Sequence, residues 1–353
     1  MSSATETADT PRRLVRSGFL PDRIVHLHPT RQCNLACTHC YSESAPSRTA
    51  SALDADTIAR ALAVLRTEGY TAVSLSGGEP LVYPDLERVV DHAQGLGFRV
   101  TMVTNGLLVG PRLDALLGRL DGIAVSFDGL AESHNQVRGR ADAFARASAA
   151  VAHLASIGRP AAAAISVSRD AIAELPDLAD HLVARGVRAL QIRPVARAGR
   201  ARTLDAATFQ TAEDRARLYL VALALQQELP EQVAVHCDLA PASGLWAQRD
   251  DYAPLLASCA DSCPADRPLS DLVDPLVITD SGHLKPIAYD FAPAFDIARV
   301  DGLTPGLLRA YARDGLAGLQ QLLGRLLASL EGRRGLVDWF DECTRASNLA
   351  GRA

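Results

Sequence analysis

Lysine is almost absent: among 36 lysines and arginines, Lys285 is the only lysine. A composition that favours arginine and alanine accounts for the bias, so Lys285 stands out only mildly. Long hydrophobic runs are absent too. No stretch of about eighteen apolar residues occurs, which excludes a membrane-spanning helix. The opening "MSSATETADTPRRLVRSG" lacks the apolar core of a secretory signal. The chain is therefore expected in the cytoplasm, with no membrane partner. Nor is any basic tract interleaved with aromatics. At a net charge of -5 and with aromatics at 5%, the chain has no electrostatic footprint for nucleic acid.

What is present is an ordinary globular composition, 48% hydrophobic and 22% charged, over 353 residues. That length can bury a large core and predicts one sizeable catalytic unit with a smaller appendage. There are seven cysteines. In a reducing compartment a tight cluster of them points to metal or redox chemistry before it points to a disulfide. The cluster is "CNLACTHCY", which places Cys33, Cys37 and Cys40 within eight residues. Three thiolates hold three irons of a four-iron cubane and leave the fourth iron open to another ligand. Alternatively, His26, His28 or His39 joins the three sulfurs in a tetrahedral zinc site. Spacing alone leaves both open.

Residues 1–20 are polar and aperiodic, as expected of a flexible tail. Thereafter short β-branched runs alternate with longer amphipathic stretches. "RIVHLHPT" precedes a helical pattern over 54–68, "TAVSLSGG" one over 83–94, and "FRVTMVTNG" one over 111–119. "GIAVSFDG" precedes 141–156, "AAAAISVS" precedes 171–185, and "ALQIRP" closes the series. Six such repeats predict a parallel sheet, because parallel neighbours need a helical crossover, and six are too few to close an eight-stranded barrel. The expected fold is α/β: a partial (β/α)6 TIM-like barrel over 21–200 with a smaller α+β C-terminal domain over 201–353. Ligands of such a sheet sit at the C-terminal strand ends. Cys33, the run Gly77-Gly78-Glu79-Pro80, Asn105, Ser126 with Asp128, Ser166, and Arg193 fall at the six ends in turn, which predicts one shared pocket.

The CxxxCxxC spacing after a first strand, with His39 before the last cysteine, resembles the radical S-adenosylmethionine (SAM) enzyme family. So do "SGGEP" at 76–80, "VTNG" at 103–106, "SFDG" at 126–129, and "HNQVRG" at 134–139, where Asn135 stands in place of a common aspartate. The resemblance runs from Arg23 to Pro194. It implies one [4Fe-4S] cluster on Cys33, Cys37 and Cys40, with SAM chelating the open iron through its amino and carboxylate groups. The backbone at Gly77, Gly78, Glu79 and Pro80 is implied in binding the SAM amino group, the glycines admitting a close approach. His39 is implied at the adenine and Ser126 near the ribose or carboxylate. Arg193 either neutralises that carboxylate or is one more surface arginine. Asn105, Asp128 and Ser166 complete the implied cofactor contacts. The reduced cluster would pass an electron to the sulfonium, giving methionine and a 5'-deoxyadenosyl radical that abstracts a substrate hydrogen where water and thiols are kept away. A reducing partner such as flavodoxin or ferredoxin is implied.

Downstream, "QIRPVARAGRA", "PLVITDSGHLKPIAYDF" and "FDIARVDG" resemble the SPASM or twitch extension of peptide-modifying members of that family. The departure is at Ile287, where those extensions carry a cysteine, and Cys237, Cys259, Cys263 and Cys343 are scattered. A domain SPASM-like in shape but lacking auxiliary-cluster ligands is expected. His283, Lys285, Tyr289 and Asp290 then become candidate substrate contacts or proton donors, against the plainer reading of a solvated hairpin. A ribosomally made peptide is the expected substrate, with a small metabolite such as a sugar nucleotide or amino acid derivative as the alternative. A non-enzymatic electron-transfer or sensing protein is the outsider. No segment of about 80 residues suited to leader binding precedes the barrel, so peptide recognition is expected to need a separate protein or none.

Overall fold

The computed structural model describes residues 23–49, 52–256 and 267–351. The tail expected at 1–20, and Cys259 and Cys263, lie outside the described residues.

The six expected strands form: β1 (Ile24–Leu27), β2 (Ala72–Leu75), β3 (Arg99–Thr104), β4 (Gly122–Phe127), β5 (Ala162–Val167) and β6 (Ala189–Pro194), each parallel to the next. The sheet continues past them at both edges. β7 (Ala234–Cys237) lies parallel to β6. A separate two-stranded sheet pairs β8 (Leu239–Pro241) with β12 (Leu336–Asp338). β9 (Leu276–Ile278) lies parallel to β1, and β10 (His283–Pro286) and β11 (Ala298–Arg299) add antiparallel strands outside it. The expected hairpin is therefore β9–β10. Gly282, at φ +82, closes its turn by donating its N–H to the Thr279 carbonyl at 2.9 Å. The full order is β11-β10-β9-β1-β2-β3-β4-β5-β6-β7, and the edge strands β7 and β11 do not pair with each other, so the barrel is partial.

Helices cover the outer face: α1 (Ala55–Thr67), α2 (Leu86–Gly95), α3 (Pro111–Asp114), α4 (Ala131–Arg138), α5 (Ala143–Ser156), α6 (Leu175–Val183) and, after β6, α7 (Ala212–Glu228). In α1 the buried Ile58, Ala61, Leu62 and Leu65 repeat at helical spacing, and the Asp54 carboxylate caps the first turn through the Thr57 N–H at 2.8 Å. One expectation is corrected, and one helix was not foreseen. The helix expected over 111–119 breaks after Asp114 and resumes as a 3-10 turn over Leu117–Arg119, in a short segment where Gly118 weakens helix propensity. The polar helix α4 was not expected. It ends at Gly139 in the left-handed conformation, φ +66.

The strands alternate strictly between buried and half-buried positions in β4, β5 and β6. The buried set, with Val125, Ile165 and Ile192, belongs to the main hydrophobic core. The other set faces inward.

Candidate functional site

The inward-facing positions line a cavity of ≈ 2170 Å³. Closed barrels fill this space with bulky branched side chains. Here Ala124, Ser126, Ala162, Ala164 and Ser166 occupy it, and small side chains leave it hollow.

Cys33, Cys37 and Cys40 all line the cavity and pack with Leu35, Leu107 and Ala143 in one apolar cluster. Two of the sulfurs already accept backbone N–H groups at 3.4 Å, Cys33 from Leu35 and Cys40 from Ser44. Burial pushes the Cys33 thiol up to about 12. Burial also raises Cys37, while the Arg138 and Arg200 guanidiniums oppose it. Free thiols are costly to ionise here, whereas a cluster iron takes them as thiolates and supplies the compensating charge. Three sulfurs in one apolar cluster, two of them already accepting N–H groups, fit a four-iron cluster.

The glycine-rich turn packs directly on this loop. A Cβ at Gly78 would stand 1.9 Å from the Gln32 carbonyl oxygen, and one at Gly77, φ +103, would stand 2.8 Å from that of Thr30. The glycines are thus required by the cysteine loop itself, a stronger constraint than the approach of SAM expected from the sequence. Gly78 and Glu79 donate N–H bonds to the Thr30 and Gln32 carbonyls at 2.8 and 3.0 Å. The Glu79 carboxylate is buried and accepts from Thr104 Oγ1 at 2.7 Å, the Asn105 N–H at 2.8 Å and the Leu81 N–H at 3.2 Å. It ties the turn to the end of β3, and neither it nor Pro80 lines the cavity.

A second brace reaches the loop from β4. His39 Nε2 lies 2.6 Å from Asp128 Oδ1, and Arg138 Nε of α4 donates to Asp128 Oδ2 at 2.5 Å. Burial works against the Asp128 charge, but Arg138 and then His39 outweigh it and hold the carboxyl well below the usual range. Asp128 is only 2% exposed and does not line the cavity, so it braces His39. His39 does line it, and its Nδ1 is buried without a partner. Gly77, Gly78, Asn105, Ser126, Ser166 and Arg193 also line the cavity.

The C-terminal part supplies the remaining wall. Tyr289 and Asp290 line the cavity; His283 and Lys285 do not. His283 Nδ1 and Lys285 Nζ both reach Asp296, at 2.6 and 3.0 Å, and brace the hairpin. Tyr289 stacks on His28 with centroids 4.7 Å apart and donates its hydroxyl to Asp280 at 2.5 Å, while Asp290 pairs with Arg202. Ile287, two residues before Tyr289, holds φ +66, strained for a β-branched residue. Of the described C-terminal cysteines, Cys237 lines the cavity and Cys343 is fully buried.

Asp238 and Asp338 of the wall carried no sequence signal. Arg193 Nε lies 3.4 Å from Asp238 Oδ2, just past β7. Asp338 follows in space, and burial, then the Asp238 charge, raises its carboxyl to about 7. Arg200 reaches the cysteine loop through the Cys37 and Ser44 carbonyls.

Residues 27–180 match the Radical SAM superfamily. An AdoMet-dependent heme synthase of Methanosarcina barkeri is 32% identical over 156 residues, covering 43% of this chain and 45% of that protein. Mycofactocin maturase from Mycobacterium ulcerans is 35% identical over 175 residues, covering 48% of this chain and 47% of that protein. The matched segments span less than half of either relative. Among solved structures, anSMEcpe with bound AdoMet and Cp18Cys peptide aligns with a TM-score of 0.63 at 14% identity, over 91% of this chain and 87% of its own, a likeness of fold.

Proposed function

We propose that this chain, an enzyme built on a radical SAM domain, holds one [4Fe-4S] cluster on Cys33, Cys37 and Cys40, cleaves SAM reductively and modifies a ribosomally synthesised peptide. One observation carries the reading: the three thiols stand together in a cavity of ≈ 2170 Å³. That exceeds the ~300–1,000 Å³ of ordinary small-molecule pockets and leaves room for a substrate beside SAM. Cys33, Cys37 and Cys40 would hold the cluster, and when bound it would supply the single electron that reductive cleavage of SAM to methionine and a hydrogen-abstracting 5'-deoxyadenosyl radical requires.

The protein's own groups bind and exclude. His39, with Nε2 committed to Asp128 and Nδ1 free, contacts the adenine. The Gly77-Gly78 backbone spends the Gly78 N–H on Thr30 and offers carbonyls to the SAM amino group. Ser126, Asn105 and Ser166 contact the rest of SAM, and Arg193 neutralises its carboxylate. The small inward side chains leave space in which the substrate displaces water, as radical chemistry requires. The C-terminal part over 201–353 is read as SPASM/twitch-like without auxiliary-cluster ligands, with Ile287 at the hairpin position and Tyr289 and Asp290 facing the substrate. A flavodoxin or ferredoxin supplies the electron.

Peptide modification is supported by likeness to a mycofactocin maturase and to a fold solved with a bound peptide. The similarity to a heme synthase favours the second reading, a small metabolite. Anaerobic assays on reconstituted protein separate them. A peptide should stimulate 5'-deoxyadenosine release, with deuterium moving from its target carbon into that product. Stimulation by a small-molecule fraction of the native cell, and by no peptide, would contradict the peptide reading.

A further inference from the structure

Immediately after β6 the chain returns to the cysteine loop. Gly199 holds φ +51, and a Cβ there would stand 2.3 Å from the Tyr41 carbonyl oxygen and 2.5 Å from that of Cys40. The Arg200 N–H donates to the Cys40 carbonyl at 3.0 Å. Its side chain then forks: Nε donates to the Cys37 carbonyl at 2.8 Å and Nη2 to the Ser44 carbonyl at 2.7 Å. One residue thus grips the loop at three carbonyls that bracket two of the three cysteines. A planar guanidinium can make the two side-chain bonds at once, whereas an ammonium is a point donor.

The charge of Arg200 is also unusual in its setting. Arg138, the other guanidinium beside the cysteines, is neutralised by Asp128 at 2.5 Å. Among the described residues no carboxylate lies within ion-pair distance of Arg200; its side-chain bonds go to neutral carbonyls. A positive charge without a counter-ion beside an apolar, half-enclosed loop acts on whatever charge the loop carries.

We propose that Arg200 is a positioning residue that clamps the cysteine loop and, through its unneutralised charge, raises the electron affinity of the cluster bound there. The inference rests on the cluster reading above. Adding one electron from a low-potential one-electron donor makes the cluster more negative by one unit. A fixed nearby cation favours that reduced state.

The test is an anaerobic redox titration of the full reconstituted chain, with dithionite as donor and the reduced cluster followed by electron paramagnetic resonance. At the wild-type midpoint, R200Q should show a reduced-to-oxidised ratio at least tenfold lower, a shift of about 59 mV for a one-electron couple. R200K, which keeps the charge but cannot fork, should stay within about threefold of wild type. Both variants should release iron to a chelator faster, because neither restores the clamp. A purely structural role would cost iron without moving the midpoint of the cluster that remains. R200Q at the wild-type midpoint, or R200K shifted as far as R200Q, would overturn the inference. If R200Q takes up no iron, R200K decides: a tenfold shift in it contradicts the charge role. A wild-type chain that binds no iron overturns the cluster reading, and this inference falls with it.

Discussion

At the cysteine end of the cavity nearly every polar group is fixed to the frame, whereas along the wall from the C-terminal part the charged groups pair with one another. Glu79 takes three hydrogen bonds, Asp128 holds His39 and Arg138, and Arg200 grips backbone carbonyls. Across the cavity, Asp238 faces Arg193, Asp290 faces Arg202, and Asp341 faces Arg345 at 3.0 Å. Among the described residues Asp338 accepts one side-chain hydrogen bond, from the Asp341 N–H at 3.0 Å, and caps the helix over Trp339–Ala350. The first arrangement costs entropy once, in folding, and then holds a cofactor in one geometry. The second leaves ion pairs, between half-exposed arginines and largely buried aspartates, that a substrate can exchange. The contrast separates a rigid reaction centre from an adjustable recognition wall.

The largest effect should come from breaking the rigid side. Gly78→Ala places a Cβ against the Gln32 carbonyl. Relief of such a backbone clash typically costs 1–3 kcal/mol or more. Cluster content and SAM cleavage should both fall by about tenfold or more on that scale. Gly95→Ala, with nothing within 4 Å of the new methyl, is the control and should leave both unchanged. Equal effects of the two substitutions would remove the distinction between the regions.

A smaller effect belongs to the wall. The Asp338 carboxyl is raised from its ordinary 3.8 to about 7, first by burial and then by Asp238. Between those values the folded state binds a proton that the unfolded state has lost. Asp338 therefore favours folding at low pH, and its contribution is lost as pH rises through about 7. The slope is at most about 1.4 kcal/mol per pH unit. Asp338→Asn keeps a capping oxygen and should flatten the decline, so the variant gains stability relative to wild type at pH 8 and not at pH 4. Chemical denaturation at the two values reads this directly. A gain of equal size at both would place the effect in packing and not in ionisation.

The rigid side was the more legible in sequence, for a physical reason. Its ligands cluster locally in "CNLACTHCY" and in the strand-end runs, and a parallel sheet brings all strand ends to one edge. The braces were hidden. Arg200 reaches Cys37 across 163 residues, and one arginine among so many carries no mark. Helix α4, "AESHNQVR", has no apolar stripe because it packs through His134 and Arg138. The wall was least legible, since β7 and β9 join the barrel sheet through pairings that no local pattern encodes. Lys285, singled out for its rarity, sits against Asp296 and the Phe291 carbonyl and braces the hairpin.

The central claim is that Cys33, Cys37 and Cys40 hold the cluster that cleaves SAM. The direct measurement is 5'-deoxyadenosine released by anaerobically reconstituted, dithionite-reduced protein, compared with the triple variant Cys33→Ala, Cys37→Ala, Cys40→Ala, alongside iron analysis of both. The wild type should carry about four irons per chain, by the stoichiometry of one cubane, and release the nucleoside. The variant should carry almost none and release none. Nucleoside released by the triple variant, or a wild type that holds iron and SAM yet releases none, would contradict the account.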